Sequence, residues 1–300
     1  MKYNLSKLAT AALLFFSFSA SAQDDLLSML EKEEEPVTEY AKASFKTTRV
    51  INAQSLENVA GGVLDMKISH RFGFVNGGPY TLFGLDEATI RIGLDYGLND
   101  RVMIGIGRSS FEKTYDGFLK VKLLRQSSGA RKMPVTLSYF AGAAITTLEW
   151  QDPTRENYMS SRLSYTHQLI LGRKYSEDLR LQVMPTVVHR NLVEKKDEPN
   201  DVFAIGVAGR QKLTKRLAVN VEYFHVLPDQ IDEQFRNSLS LGFDIETGGH
   251  VFQLHFTNST AMIEPGYITE TVGKWGEGDI RFGFNISRVF TIKQKKSFEG

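Results

Sequence analysis

The stretch Glu87-Ala88-Thr89-Ile90-Arg91-Ile92-Gly93-Leu94-Asp95-Tyr96-Gly97-Leu98 decides the fold. Its even positions, from Ala88 to Leu98, are all apolar. Its odd positions, Glu87, Thr89, Arg91, Gly93, Asp95 and Gly97, are polar or small. Strict alternation of this kind is the period of a strand with one apolar and one polar face. Asn237–Glu246 repeats it, with Leu239, Leu241, Phe243 and Ile245 against Ser238, Ser240, Gly242, Asp244 and Glu246. Asp279–Thr291 does so again, with Ile280, Phe282, Phe284, Ile286 and Phe290 on one face.

Outward from these, the period predicts twelve strands. They lie near Val63–Phe72, Glu87–Leu98, Arg101–Ser109, Asp116–Arg125, Pro134–Leu148, Arg162–Arg173, Leu179–Arg190, Asp201–Lys212, Arg216–Val226, Asn237–Glu246, His250–Asn258 and Asp279–Thr291. Strands of soluble proteins usually have about 5–6 residues, whereas a tilted membrane-crossing strand needs about 9–11. The connections alternate between short, such as Leu98-Asn99-Asp100, and long, such as Gly73–Asp86. Outer-membrane barrels join tight periplasmic turns to longer outer loops in this way. The fold expected is all-β, a transmembrane antiparallel up-and-down β-barrel of about twelve strands with both ends in the periplasm.

Composition agrees. The 300 residues hold 36 Lys and Arg against 35 Asp and Glu, with 20 Phe, 11 Tyr and no Cys. A formal charge of +1 argues against a nucleic-acid binder. Without cysteine there is no disulfide scaffold, thiolate metal site or cysteine nucleophile. Lys2 and Lys7, the apolar run Leu8–Phe18 and Ala20-Ser21-Ala22 read as a signal peptide over residues 1–22, cleaved between Ala22 and Gln23. Residues 23–60, which include the acidic run ending at Pro36, are expected in the periplasm. The strand-like Phe45–Ala53 within them is placed there or in the barrel mouth. The barrel takes residues 61–292, and 293–300 form a periplasmic tail.

The apolar face carries aromatics near strand ends, Tyr96, Tyr139, Tyr165 and Tyr223 among them. This is the pattern of interfacial anchors, so that face is assigned to lipid. The polar face then lines the lumen, with Asp65, Lys67, Arg71, Arg91, Asp95, Lys120, Lys122, Arg162, Arg180, Arg210, Glu222, Asp244 and Arg281 as candidate lumen residues. The alternating final strand with its aromatic Phe290, after a cleaved signal, resembles the insertion signal of Gram-negative outer-membrane barrels. That resemblance implies the barrel-insertion machinery as a partner of the C-terminal strand. The stretches Phe45-Lys46-Thr47-Thr48-Arg49-Val50-Ile51-Asn52 and Ile68-Ser69-His70-Arg71-Phe72-Gly73 resemble an uncharacterised outer-membrane β-barrel family of the Bacteroidota. This resemblance covers nearly the whole mature chain and implies location and fold, not chemistry.

No catalytic motif stands out. The six histidines show no pair at the helical spacing of a zinc protease, so no metal or cofactor is expected. Gly105-Ile106-Gly107 opens no helix and reads as barrel-wall packing. His167, flanked by Ser164 and Thr166, allows the alternative of a lipid hydrolase, but strand neighbours point to the opposite face. Trp150 and Trp275 fall in long outer loops, where they anchor the loop or stack on a ligand. The function expected is a narrow, monomeric, non-enzymatic channel or transporter for small ions or solutes, with outer-membrane lipid around it. Its rivals are the hydrolase and a non-transporting barrel that anchors a periplasmic partner.

Overall fold

The computed structural model describes residues 37–41, 45–150, 152–193, 195–196, 198–247 and 250–293. The signal peptide, its cleavage site at Ala22 and Gln23, and the tail beyond Lys293 lie outside the described residues. Twelve antiparallel strands close into a barrel. They are β1 (Val63–Phe74), β2 (Ala88–Gly97), β3 (Val102–Ser109), β4 (Tyr115–Leu124), β5 (Thr136–Ile145), β6 (Leu163–Lys174), β7 (Leu179–Arg190), β8 (Asp201–Lys212), β9 (Leu217–Val226), β10 (Leu239–Thr247), β11 (His250–Thr257) and β12 (Arg281–Thr291). Each pairs with its sequence neighbour, and β12 pairs with β1 from Thr291↔Val63 to Arg281↔Phe74. No barrel edge is left to meet lipid unpaired. A separate small unit pairs Thr38–Tyr40 with Ser127–Gly129.

Alternation explains the wall. In β2 Arg91, Gly93 and Asp95 are buried while Ile92 and Leu94 are exposed. Around the barrel, Ile104, Ile106, Leu119, Leu169, Leu181, Phe203, Ile205, Leu241, Phe243, Leu254 and Phe256 are likewise exposed. A girdle of this extent far exceeds the apolar patch a soluble protein tolerates. On a closed barrel with an even number of antiparallel strands, it is the lipid face of an outer-membrane protein. The ladder lapses once in β7: pairing with β6 stops at Gln168↔Thr186 and resumes at Leu171↔Val183. Pro185, which has no N–H to donate, sits in the gap.

Inside, the barrel is filled. The segment from Phe45 to Val59, expected in the periplasm or the barrel mouth, lies within the barrel. Most of its side chains, Thr47 to Leu56 included, are buried. From the opposite end, the β11–β12 connection folds inward and forms the short helix α1 (Glu264–Thr269), all six residues of which are buried. The interior has two characters. Phe118, Phe140, Ile170, Met184, Val188 and Phe224 of β4–β9 form an apolar cluster with Phe45, Val50, Leu56 and Val59 of the inner segment and Tyr267 and Ile268 of α1. The wall from β10 round to β2 is polar, with Asp244, Asp65, Lys67, Arg71, Arg91 and Asp95 charged and Gln253, His255 and Asn285 between them. A uniformly wet lumen is therefore the wrong picture: an apolar core occupies part of it, because the inner segment brings an apolar face of its own.

Candidate functional site: a plugged lumen

The inner segment is held by wall side chains from most of the strands. Glu222 of β9 accepts the backbone N–H groups of Ile51, Asn52 and Ala53 at 2.9–3.1 Å. Lys120 of β4 does the converse. Its Nζ donates to the carbonyls of Thr48, Ser55 and Glu57 at 3.3, 3.1 and 2.6 Å, and to Gln54 Oε1 at 3.2 Å. These are backbone groups of a buried non-helical, non-strand segment, which must find partners somewhere. Two oppositely charged wall residues supply them.

Further contacts fix the segment's position. Arg71 donates to Asn52 Oδ1 at 2.7 Å and to Asn285 Oδ1 at 3.1 Å. Gln253 donates to the Val50 carbonyl at 2.8 Å, and Asn285 to that of Ile51 at 3.0 Å. Asp95 pairs with Lys67 at 2.6 Å and accepts from Thr48 at 2.9 Å. Arg49, in the middle of the segment, reaches Glu264 of α1 at 3.0 Å. Burial works against the Arg49 charge, but Glu264 and Asp95 more than offset it and raise the pKa above its ordinary value. One ion pair thus joins the plug entering from one end to the loop entering from the other.

Of the candidate lumen residues, Asp65, Lys67, Arg71, Arg91, Asp95, Lys120, Arg180, Arg210, Glu222 and Asp244 are buried in the barrel. Arg91 pairs with Asp116, its Nε 2.8 Å from Oδ1. Arg210 pairs with Asp244 at 3.0 Å and Glu246 at 3.1 Å. Gly107 and Gly105 make room for this packing: a Cβ on Gly107 would strike the Arg91 guanidinium, and one on Gly105 the Phe118 ring. Three candidates lie apart. Lys122 is only part-buried. Arg162 precedes β6 and stacks 3.6 Å from the Trp150 ring. Arg281 sits at a bulge between Arg281 and Gly283 that breaks the parity, and it stacks 3.8 Å from the Phe74 ring.

Sequence reasoning missed Asp116, Arg49 and Glu264. A signal for an occupied lumen was available in Phe118, Phe140, Ile170, Met184 and Phe224, which break the polar face across β4–β9. On the lipid face His167 bonds to Tyr139 at 2.8 Å, while Thr166, its neighbour in sequence, is buried inside. Among the described residues no group of three or more His, Asp or Glu is placed to hold a metal ion.

No protein of curated function matches the chain. Among solved structures it is similar to the NanC porin at 8% identity and TM-score 0.46, covering 77% of this chain and 100% of the porin. It is similar to an outer membrane channel from Pseudomonas putida F1 at 13% identity and TM-score 0.43, covering 79% of this chain and 98% of the other. An outer membrane protein of Acinetobacter baumannii is similar at 10% identity and TM-score 0.38, over 76% and 97%. A family model described as "Membrane bound beta barrel domain (DUF5777)" matches residues 45–290, so it takes in the buried inner segment as well as the wall. The chain belongs to that family of membrane-bound β-barrels.

Proposed function

We propose that the protein is a gated, non-enzymatic channel or transporter of the outer membrane for small ions or solutes. Residues 45–59 are its inner plug. One observation carries this reading: the plug is held at its backbone by single wall side chains, Glu222 and Lys120, rather than by strand pairing along its length. A segment that was simply part of the wall would share its ladder. A backbone held by point contacts detaches when those contacts exchange for water. Barrels of this class carry either open channels or lumens plugged by loops or a helix. The mixed signs along the wall, Lys67 beside Asp95 and Arg210 beside Asp244, leave a vacated lumen wet and weakly selective.

Planar-bilayer recording with the purified full chain tests this. The expected result is a largely closed protein with brief small steps. Glu222→Gln, or deletion of residues 45–56, lengthens and enlarges them. A barrel that stays silent in all three forms refutes the channel and favours the anchoring role.

A further inference from the structure

Above α1, toward the outer face, the barrel holds a cavity of about 130 Å³ between the inner walls of β3–β7 and the infolded loop. Its lining includes Arg162, Arg190, Ser161 and Ser164, with Leu192, Ile263 and Pro265 supplying an apolar side. The two arginines come to one place because Arg190 pairs across the β6–β7 ladder with Ser164, two residues from Arg162.

Among the described residues neither guanidinium is fully used. Arg162 spends Nη1 on the Thr146 carbonyl at 3.2 Å, and its plane lies on Trp150. No described carboxylate lies within ion-pair distance of it. Arg190 spends Nη2 on the Pro199 carbonyl at 3.2 Å and on a long ion pair with Glu198 at 3.7 Å, an acid that does not line the cavity. The Nε of both arginines is buried without a partner among the described residues. Buried unpaired donors of this kind are costly, and most are satisfied in a native site. The cavity's own acids, Glu112 and Glu270, are already engaged within the protein. The spare capacity is therefore donor capacity, on cations, in a pocket smaller than the 300–1,000 Å³ of a drug-sized ligand.

We propose that this vestibule is a binding site for a small organic oxyanion, a carboxylate or a phosphate ester, held between Arg162 and Arg190. Planar guanidinium groups suit such ligands because they donate to two oxygens at once. The serine hydroxyls and the apolar side favour a short hydroxylated carbon chain over a bare inorganic ion. The assignment gives the proposed channel a substrate class and places its first contact on the outer side, where Trp150 reports on it.

The test is calorimetric titration of the full chain in detergent with glycerate, glycerol 3-phosphate, inorganic phosphate and, as neutral control, glycerol. Tryptophan emission is followed in parallel. Glycerate or glycerol 3-phosphate should bind saturably and shift the emission, while glycerol does neither. Which of the two binds more tightly decides between carboxylate and phosphate. Arg162→Gln and Arg190→Gln should each weaken binding at least tenfold, and Trp150→Phe should remove the emission change. Equal response to glycerol, no saturable binding of either acid, or undiminished affinity in both arginine variants would overturn the site. If a variant fails to give a heat-modifiable barrel, the comparison of acid with glycerol on the unaltered chain still stands as the test. Binding without conductance keeps the site and removes the channel; conductance without binding does the reverse.

Discussion

Glu222→Gln is the sharpest probe of the plug. The native carboxylate is buried and accepts three backbone N–H groups, one oxygen serving Ile51 and Ala53 and both oxygens serving Asn52. A hydrogen bond to a charged group contributes about 1.5–3 kcal/mol. The amide keeps one acceptor oxygen and turns an NH₂ group toward donors. With its oxygen at the Oε2 position it loses the Asn52 contact to Oε1, which becomes a donor–donor clash, and strips the charge from the contacts that remain. Relief from burying an ion offsets part of the loss. The net cost to the plugged state is about 2–3 kcal/mol, which at 1.4 kcal/mol per decade is a 30- to 150-fold rise in the unplugged fraction. The chain has no cysteine, so Ser55→Cys, at a fully buried plug position, gives a single reporter thiol. Its reaction with a bulky maleimide is limited by the unplugged fraction, and the labelling rate should rise by the same factor. Glu246→Gln removes a partly exposed acid near the rim that pairs with the half-exposed Lys46 and with Arg210; Asp244 keeps the Arg210 guanidinium paired, so the rate should change less than threefold. An unchanged rate in Glu222→Gln, or an equal rise in Glu246→Gln, would show that the Glu222 cradle does not hold the plug.

Three further outcomes are expected. Ile92→Arg puts a charge on the lipid face and should lower folding stability in vesicles by about 2–4 kcal/mol if that position lies near the bilayer midplane. Gly107→Val, facing inward in the adjacent strand, should displace Arg91 from Asp116. Its loss of stability in denaturant unfolding should shrink when Arg91→Ala and Asp116→Ala are introduced together. Arg49→Gln and Glu264→Gln should be non-additive in a double-mutant cycle, coupled by about 1 kcal/mol or more in the labelling assay; additivity would show that the two segments are not linked through this pair.

The wall was legible in the sequence because its period survives without knowledge of partners. Ile92 faces lipid and Arg91 the interior whatever lies inside, and the strands fall within a few residues of the expected spans. Strand ends were less so: Pro134–Leu148 resolves to Thr136–Ile145, since Pro134 and the residues after Ile145 belong to connections. The plug was not legible, although its strand-like residues drew attention. Val50, Ala53, Leu56 and Val59 recur every three residues, which is not the period of a strand, and over so short a stretch the spacing does not tell a helix from a segment shaped by the cavity it fills. The pairing of Arg49 with Glu264 joins residues more than two hundred positions apart. Only the closed barrel brings them together.

The mixed nature of the interior constrains how such a lumen opens. Complete ejection of residues 45–59 would expose Phe45, Val50, Leu56 and Val59 and strip Phe140, Ile170 and Met184 of their cover. At about 1.5–3 kcal/mol for each large apolar side chain, those four alone make ejection cost on the order of 6–12 kcal/mol. That exceeds what loss of the Glu222 cradle supplies. The charged side carries no such penalty. Asn52, Ile51 and Thr48 meet Arg71, Asn285 and Asp95 through hydrogen bonds for which water offers a substitute once the Glu222 cradle is released. The segment is therefore hinged by its chemistry. Its apolar face stays on the cluster of β4–β9 while its polar face lifts from Glu222 and from β10–β12 and β1–β2. For the proposed channel, a path opened in this way would run along paired charges and be narrow, which would limit passage to small polar solutes and leave the apolar cluster intact as the support that returns the plug.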